Sequence, residues 1–150
     1  MKTSLKLLAI ASAFASCQAF AVDGLVSVKS PMKAKATMDR FETVVKEKGL
    51  NVFARIDHAA GATKVGKALR PTEVLIFGNP AGGTPLMECS QTAGIDLPLK
   101  ALVWEDAAGQ TWIGYNDPEY LAKRHEASQC AVVPNMSKAL AGFVQATVTP

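Results

Sequence analysis

The sequence predicts an α+β fold: a single compact domain in which helices pack on one face of a sheet of roughly five strands. Short apolar stretches with strand periodicity alternate with stretches of helical periodicity along the chain. Residues 97–118 contain two apolar runs joined by a turn with a glycine, a pattern typical of a β-hairpin. The hairpin and the short connections between strands favour a mixed or mainly antiparallel sheet over a doubly wound parallel one.

The first 21 residues have the pattern of a secretory signal peptide. Two lysines precede an apolar run over 7–14, and an A-x-A cleavage site follows at 19–21. The apolar run is shorter than the roughly 20 residues that a membrane-spanning helix needs. We therefore expect residues 1–21 to be removed after export.

The remaining residues, 22–150, are predicted to form one domain of a periplasmic or secreted protein without a membrane span. Lipidation of Cys17 is the alternative to cleavage after residue 21. Cleavage is favoured because the residues just before Cys17 lack the aliphatic side chain usually found three positions ahead of a lipidated cysteine.

The mature chain is almost neutral. The full sequence has 16 basic and 13 acidic residues, a net charge of +3, and loss of the two signal lysines leaves +1. A nucleic-acid-binding protein usually carries a strongly basic surface. We therefore expect no nucleic-acid partner.

Cys89 and Cys130 remain after processing, and an even number of cysteines in an oxidising compartment predicts a structural disulfide. The absence of a Cys-x-x-Cys motif and of clustered histidines makes a redox pair or a cysteine metal site the weaker interpretation. In the chain-entropy model, a disulfide that closes the loop between these two cysteines stabilises the fold by roughly 4 kcal/mol.

The predicted strands and helices alternate in order along the mature chain. Strands are predicted at 24–29, 51–57, 72–78, 99–106 and 110–116. Helices are predicted at 31–48, 58–66 and 85–90, from 118 to a point before 134, and from 135 onward. In the hairpin, Trp104 should lie opposite Trp112, and the apolar character of both faces of 99–106 predicts an interior strand covered on both sides.

Polar residues near the ends of apolar strands are the candidate ligand-binding residues. Asp57 and His58 stand where a strand gives way to a helix, although helix capping is the favoured role of Asp57. Asn79 lies in a glycine-rich loop, Tyr115 near the end of the hairpin, and His125 in the helix that follows.

A second interpretation of these residues is a metal site. His58 and His125, with Glu88 or Asp57 as third ligand, offer the nitrogen and oxygen donors that suit zinc or a similar divalent metal. The spacing lacks the H-x-x-x-H regularity that places two ligands on one helix face. The cofactor and the catalytic residues are therefore left unassigned.

Four parts of the sequence resemble a bacterial family known as domain of unknown function 302. They are DHAAGA at 57–62, FGNPAGGT at 77–84, DLPLK at 96–100 with VWED at 103–106, and YNDP at 115–118 with RH at 124–125. The similarity extends from about Gly24 to His125. It implies a small α+β fold that is often dimeric, and it implies no established activity.

Three hypotheses of function follow. The first is an exported, non-enzymatic domain that binds a small ligand or a metal in a cleft bordered by Asp57, His58, Asn79 and His125. The second is a hydrolase or isomerase that uses His58 with a carboxylate. The third is a structural module that forms a homodimer through a sheet face or edge. No feature of the sequence decides among them.

Overall fold

The computed structural model describes residues 22–149. The predicted signal peptide and Cys17 lie outside the described residues. The strands are β1 Leu25–Lys29, β2 Asn51–Asp57, β3 Thr72–Gly78, β4 Leu99–Glu105 and β5 Thr111–Asn116. The α-helices are α1 Ala34–Glu47, α2 His58–Lys64, α3 Pro80–Cys89, α4 Pro118–Arg124 and α5 Val133–Val148, and a short 3-10 helix covers Gln91–Ile95.

The five strands form one sheet in the order β1-β5-β4-β3-β2, and every neighbouring pair is antiparallel. Strands β2, β3 and β4 are each paired with the next strand along the chain. The first strand, β1, pairs with β5 at the other edge of the sheet, where Leu25 lies opposite Asn116. The predicted α+β class and antiparallel sheet are therefore confirmed.

The hairpin of β4 and β5 has the predicted register. Trp104 lies opposite Trp112, and their rings are stacked with centroids 6.3 Å apart. Gly109 occupies the turn with φ +78°, a left-handed conformation that favours glycine. The structure confirms the hairpin and its turn.

One face of the sheet carries the main core. Its buried side chains alternate along the three central strands and pack against α1 and α5; they are Leu75, Phe77, Ala101, Val103, Ile113 and Tyr115. On the other face Val74, Ile76, Leu102 and Trp104 are only half-buried. Strand β4 is therefore interior, as predicted, but its second face is not fully covered. The homodimer predicted to form through a sheet face or edge stays a prediction.

A smaller core lies beside the main one and includes Cys130, one of the two disulfide cysteines. Its buried residues come from α3, α4, α5 and the segments next to them; they are Leu86, Ala93, Ala122, Ala127, Cys130, Val133 and Met136. The Sγ atoms of Cys89 and Cys130 lie at disulfide distance, 2.21 Å, and their Cα atoms are 6.0 Å apart. The pairing predicted from the cysteine count is present.

Helix α3 begins earlier than predicted. Its N-cap is Asn79, whose Oδ1 accepts a 2.7 Å hydrogen bond from the backbone N–H of Gly82, and Pro80 takes the first helical position. The prediction instead used Thr84 as cap and Pro85 as first residue. Asn79-Pro80 and Thr84-Pro85 both have a capping residue followed by proline, which is a signal for the start of a helix. Asparagine is preferred over threonine as the cap. Pro85 consequently lies inside the helix.

Helix α4 ends before Pro134, as predicted, whereas the last helix begins earlier than predicted. Helix α4 ends at Arg124, and Glu126, two residues later, has φ +55°. Helix α5 begins at Val133, so Pro134 falls within its first turn, where a proline needs no backbone hydrogen-bond donor. Asn135 is thus inside α5 and is not its cap.

An ionic network ties the edge strand β2 to α1 and β3. The Arg55 guanidinium donates to Glu73 Oε2 from Nε and Nη2, at 2.9 and 2.6 Å. Its Nη1 reaches Asp39 Oδ1 at 2.7 Å and Glu42 Oε2 at 3.1 Å. Although partial burial of Arg55 acts in the opposite sense, these three carboxylates raise its pKa above the ordinary value. The network therefore stabilises the folded state only while the carboxylates are ionised.

Replacing Arg55 with methionine is expected to lower the free energy of unfolding at neutral pH by about 1–2 kcal/mol. Hydrogen bonds from Lys35 and then Arg55 hold the pKa of Asp39 below its ordinary value of 3.8, and those from Lys46 and then Arg55 hold the pKa of Glu42 below 4.5. The unfolded chain therefore takes up these protons first as the pH falls.

The stability of the parent should accordingly decline as the pH falls below about 4.5, the ordinary value for Glu42. The decline should be shallower in Arg55→Met, measured by urea denaturation at a series of pH values. Lys138→Met is the control, because it also removes one positive charge, but Lys138 is exposed and makes no ion pair within residues 22–149. Parallel pH profiles for the parent and Arg55→Met would contradict the assigned role.

Candidate ligand-binding cavity

A cavity of about 470 Å³ lies among α3, the segment before β4, and α5. We call residues 78–87 the α3 wall and residues 136–143 the α5 wall. The α5 wall contributes Met136, Ala139, Leu140 and Phe143. Phe53 of β2 also lines the cavity and is 56% exposed, so an aromatic side chain stands partly in solvent beside it.

The lining is almost entirely apolar. Among the residues that the structure describes, no charged side chain lines the cavity, and the only polar side chains there are those of Asn79 and Thr84. Met87 and Met136 add flexible thioethers, which adapt to ligands of different shapes. Small-molecule sites usually measure about 300–1,000 Å³ and combine apolar walls with a few polar groups. Both the size and the composition of this cavity fit that description.

Asn79 is the one predicted ligand-binding residue that lines this cavity. Its Oδ1 is engaged as the cap of α3, by the hydrogen bond from Gly82. Within residues 22–149 its amide nitrogen makes no hydrogen bond, so the amide can donate to an acceptor group on a ligand. The same side chain thus both starts the helix and offers a polar contact.

Asp57 and His58 lie away from this cavity. Asp57 Oδ1 accepts a 2.8 Å hydrogen bond from the backbone N–H of Ala60, so the carboxylate caps α2, the role that the sequence favoured. His58 is exposed at the first position of α2. Within the described residues it makes no ion pair with a carboxylate, the pairing that the hydrolase hypothesis requires.

Tyr115 belongs to the main core and does not line the cavity. It is 6% exposed and packs with Ile113, Val103 and other residues of the helix-covered sheet face. Burial, followed by the nearby charge of Asp117, raises the pKa of its phenol. Its place in the structure is that of a core side chain.

His125 lies at the end of α4 with both ring nitrogens engaged. Nε2 is 2.6 Å from Asp96 Oδ2, and Nδ1 is 3.0 Å from Thr92 Oγ1. Arg124 also reaches Asp96, at 3.1 Å. The imidazole is only 7% exposed and joins α4 to the segment that precedes β4. His125 and Asp96 therefore form a histidine–carboxylate pair. The hydrolase or isomerase hypothesis had placed such a pair at His58.

The predicted metal site is not assembled from the described residues. Glu88 is exposed near the end of α3, His58 is exposed on α2, and His125 is occupied by Asp96 and Thr92. Within residues 22–149, no group of three or more histidine, cysteine, aspartate or glutamate side chains is arranged to hold a metal.

Replacing His125 with alanine is expected to lower the free energy of unfolding by about 1–3 kcal/mol, because a mostly buried carboxylate, Asp96, loses its closest partner. Arg124→Ala is the matched control: it removes a contact to the same carboxylate, but Arg124 is 55% exposed. That control should change stability by less than about 1 kcal/mol. Chemical denaturation measures both, and equal losses in the two variants would contradict a structural role specific to the imidazole.

Several residues of the cavity were not singled out in the sequence. They are Phe53, Met87, Met136 and Phe143. Phe53, at the centre of a predicted strand, carried no sign that it would be half-exposed. The one sequence signal for the cavity was the set of glycines within 78–83. A glycine has no side chain, so the backbone itself forms part of the cavity wall at these positions.

These features define a class: small α+β proteins with an apolar cavity beside an antiparallel sheet. The chain belongs to the family described as domain of unknown function DUF302, whose sequence profile matches residues 26–143. The resemblance inferred from the motifs is confirmed. Within the described residues, no helix has the length and apolar character needed to cross a membrane.

Other known proteins resemble this chain in fold or in sequence. The crystal structure of an uncharacterized conserved DUF302 protein from Bacillus stearothermophilus has a TM-score of 0.75 and 20% identity, covering 84% of this chain and 99% of that one. Proteins named fluoride-specific ion channel FluC 1 from Brucella suis and Brucella abortus are 50% identical over 102 residues. This match covers 68% of the chain but only 40% and 38% of those relatives.

Proposed function

We propose that this protein, after export, binds an uncharged and mainly apolar small molecule in the cavity between the α3 wall and the α5 wall. The observation that carries the proposal is the lining itself: a cavity of about 470 Å³ lined mainly by apolar side chains and glycines, with no charged group among the described residues. Apolar ligand surface buried there contributes roughly 25 cal/mol per Å². Association also costs translational and rotational freedom. Once this cost is subtracted, a dissociation constant on the order of micromolar is expected.

Asn79 supplies the polar contact in this proposal. Asn79 lines the cavity, and its amide nitrogen makes no hydrogen bond within residues 22–149. A carbonyl or ether oxygen on an otherwise apolar ligand would accept from it. A carboxylate or phosphate would instead leave its charge in an apolar surrounding without a basic partner, which is strongly unfavourable.

Fluoride conduction is not carried over from the Brucella relatives. The chain spans about two fifths of their length, so their names describe proteins that are much longer than the region shared with this chain. A small, strongly hydrated anion also requires several hydrogen-bond donors, whereas within residues 22–149 the only polar side chains that line the cavity are those of Asn79 and Thr84.

The neutral apolar dye N-phenyl-1-naphthylamine tests the proposal. Its fluorescence should rise saturably with the parent protein. Ala139→Trp should weaken binding at least tenfold, because Ala139 lines the cavity and a tryptophan there fills it. Ala141→Trp is the control, since Ala141 is an exposed residue of the same helix outside the lining. Absence of saturable binding by the parent, or an equal loss in both variants, would refute the proposal.

A further inference from the structure

The Cys89–Cys130 disulfide joins the end of α3 to the segment that leads into α5, and these two helices carry the walls of the cavity. Cys89 is the last residue of α3, whose earlier residues form most of the α3 wall. Cys130 lies three residues before α5, and its carbonyl accepts the backbone N–H of Val133, the first residue of that helix. The cross-link therefore restrains the end of α3 against the start of the helix that carries the α5 wall.

Helix α3 depends on restraints at its ends, because its own sequence supports a helix poorly. Gly82 and Gly83 lower helix propensity, and Pro85 lies inside the helix without a backbone donor. Leu86 is the one buried residue of this helix. The N-terminal restraint is the Asn79 cap, and the covalent restraint at the other end is the disulfide.

We propose that this disulfide is a redox switch on ligand binding: the oxidised protein holds the α3 wall in its binding position, and reduction lowers affinity by releasing it. This inference rests on the proposed function, since it concerns the same cavity. The main core does not include either cysteine, so the sheet and its packing against α1 and α5 are retained on reduction.

The accessibility of the two sulfurs indicates how a dithiol reductant would act. Cys89 is exposed, whereas Cys130 is 6% exposed. A thiolate of the reductant attacks Cys89 Sγ, the Sγ–Sγ bond breaks, and Cys130 leaves as a thiolate that takes up a proton. The second thiol of the reductant then displaces Cys89 as a thiol. Two electrons pass from the dithiol to the protein, and the reductant becomes a disulfide.

The test is a titration with N-phenyl-1-naphthylamine of the oxidised protein, the protein reduced with dithiothreitol, and the double variant Cys89→Ala with Cys130→Ala. We expect the reduced protein to bind the dye at least tenfold more weakly than the oxidised protein. The double variant should match the reduced protein, and dithiothreitol should not change its affinity. Hydrogen exchange of all three forms, below their unfolding temperatures, locates the change.

The outcomes separate the switch from the binding function. Equal dye affinities in the oxidised and reduced proteins overturn the switch and leave the proposed function standing. Failure of the oxidised protein to bind overturns the proposed function, and the switch with it. Faster exchange confined to 80–89 supports the switch, whereas faster exchange throughout β3, β4 and β5 shows general unfolding and overturns it.

Discussion

Replacing Phe77 with alanine is expected to lower the free energy of unfolding by about 3–5 kcal/mol. Phe77 is fully buried, and its ring meets Phe41 edge to face with centroids 5.3 Å apart. The substitution removes apolar contact between β3 and α1 and leaves a cavity that the surrounding sheet cannot fill. Because a domain of this size has a total stability of about 5–15 kcal/mol, the loss is a large part of it.

Urea denaturation followed by tryptophan fluorescence measures the effect, since Trp104 and Trp112 report on the sheet. Phe77→Leu is the matched control, because it keeps most of the apolar volume and should lose markedly less stability. If Phe77→Ala lost less than about 1 kcal/mol, the core assigned to β3 and α1 would be wrong.

Removing the disulfide is the second change with a large expected effect. The double variant Cys89→Ala with Cys130→Ala should lose about 4 kcal/mol of unfolding free energy, because the unfolded chain regains the freedom of an unclosed loop. The cysteines are 41 residues apart in sequence. The unfolded state should also expose more surface once the link is gone, so the denaturant dependence of the unfolding free energy should steepen.

The measurement compares the double variant with the oxidised parent at one temperature, using the same denaturant series. The reduced parent is the control for packing, since it has no covalent link but keeps both sulfur atoms. If the reduced parent were as stable as the oxidised parent, loop closure would not be the source of the stabilisation.

Much of the fold could be predicted because its signals are local. The short apolar runs in 72–78 and 99–106 and the glycine at 109 are properties of short segments, and the structure confirms both strands and the turn. The start of α3 was wrong because Asn79-Pro80 and Thr84-Pro85 carry similar start signals. Only the packed structure shows that the helix begins at the earlier one.

The candidate site was less predictable because it is assembled from segments far apart in sequence. Phe53, Met87, Leu97 and Phe143 meet at one cavity, but each one alone has the character of an ordinary core residue. The pairing of His125 with Asp96 depends on how α4 packs, which no local pattern reports. The sequence analysis turned to Asp57 and His58 because they are polar residues at a strand end. The apolar cavity carries the stronger evidence for a ligand-binding site.

The pairing of β1 with β5 has a consequence for the order in which the chain can fold. Strands β2 to β5 can pair one after another as neighbouring segments meet, but β1 at Leu25–Lys29 has its partner at 112–116. Closing so long a loop is entropically costly and slows folding. The first strand to be synthesised therefore remains without its partner until about three quarters of the chain has been made. Its apolar residues cannot pack into the sheet until β5, the last strand, is available.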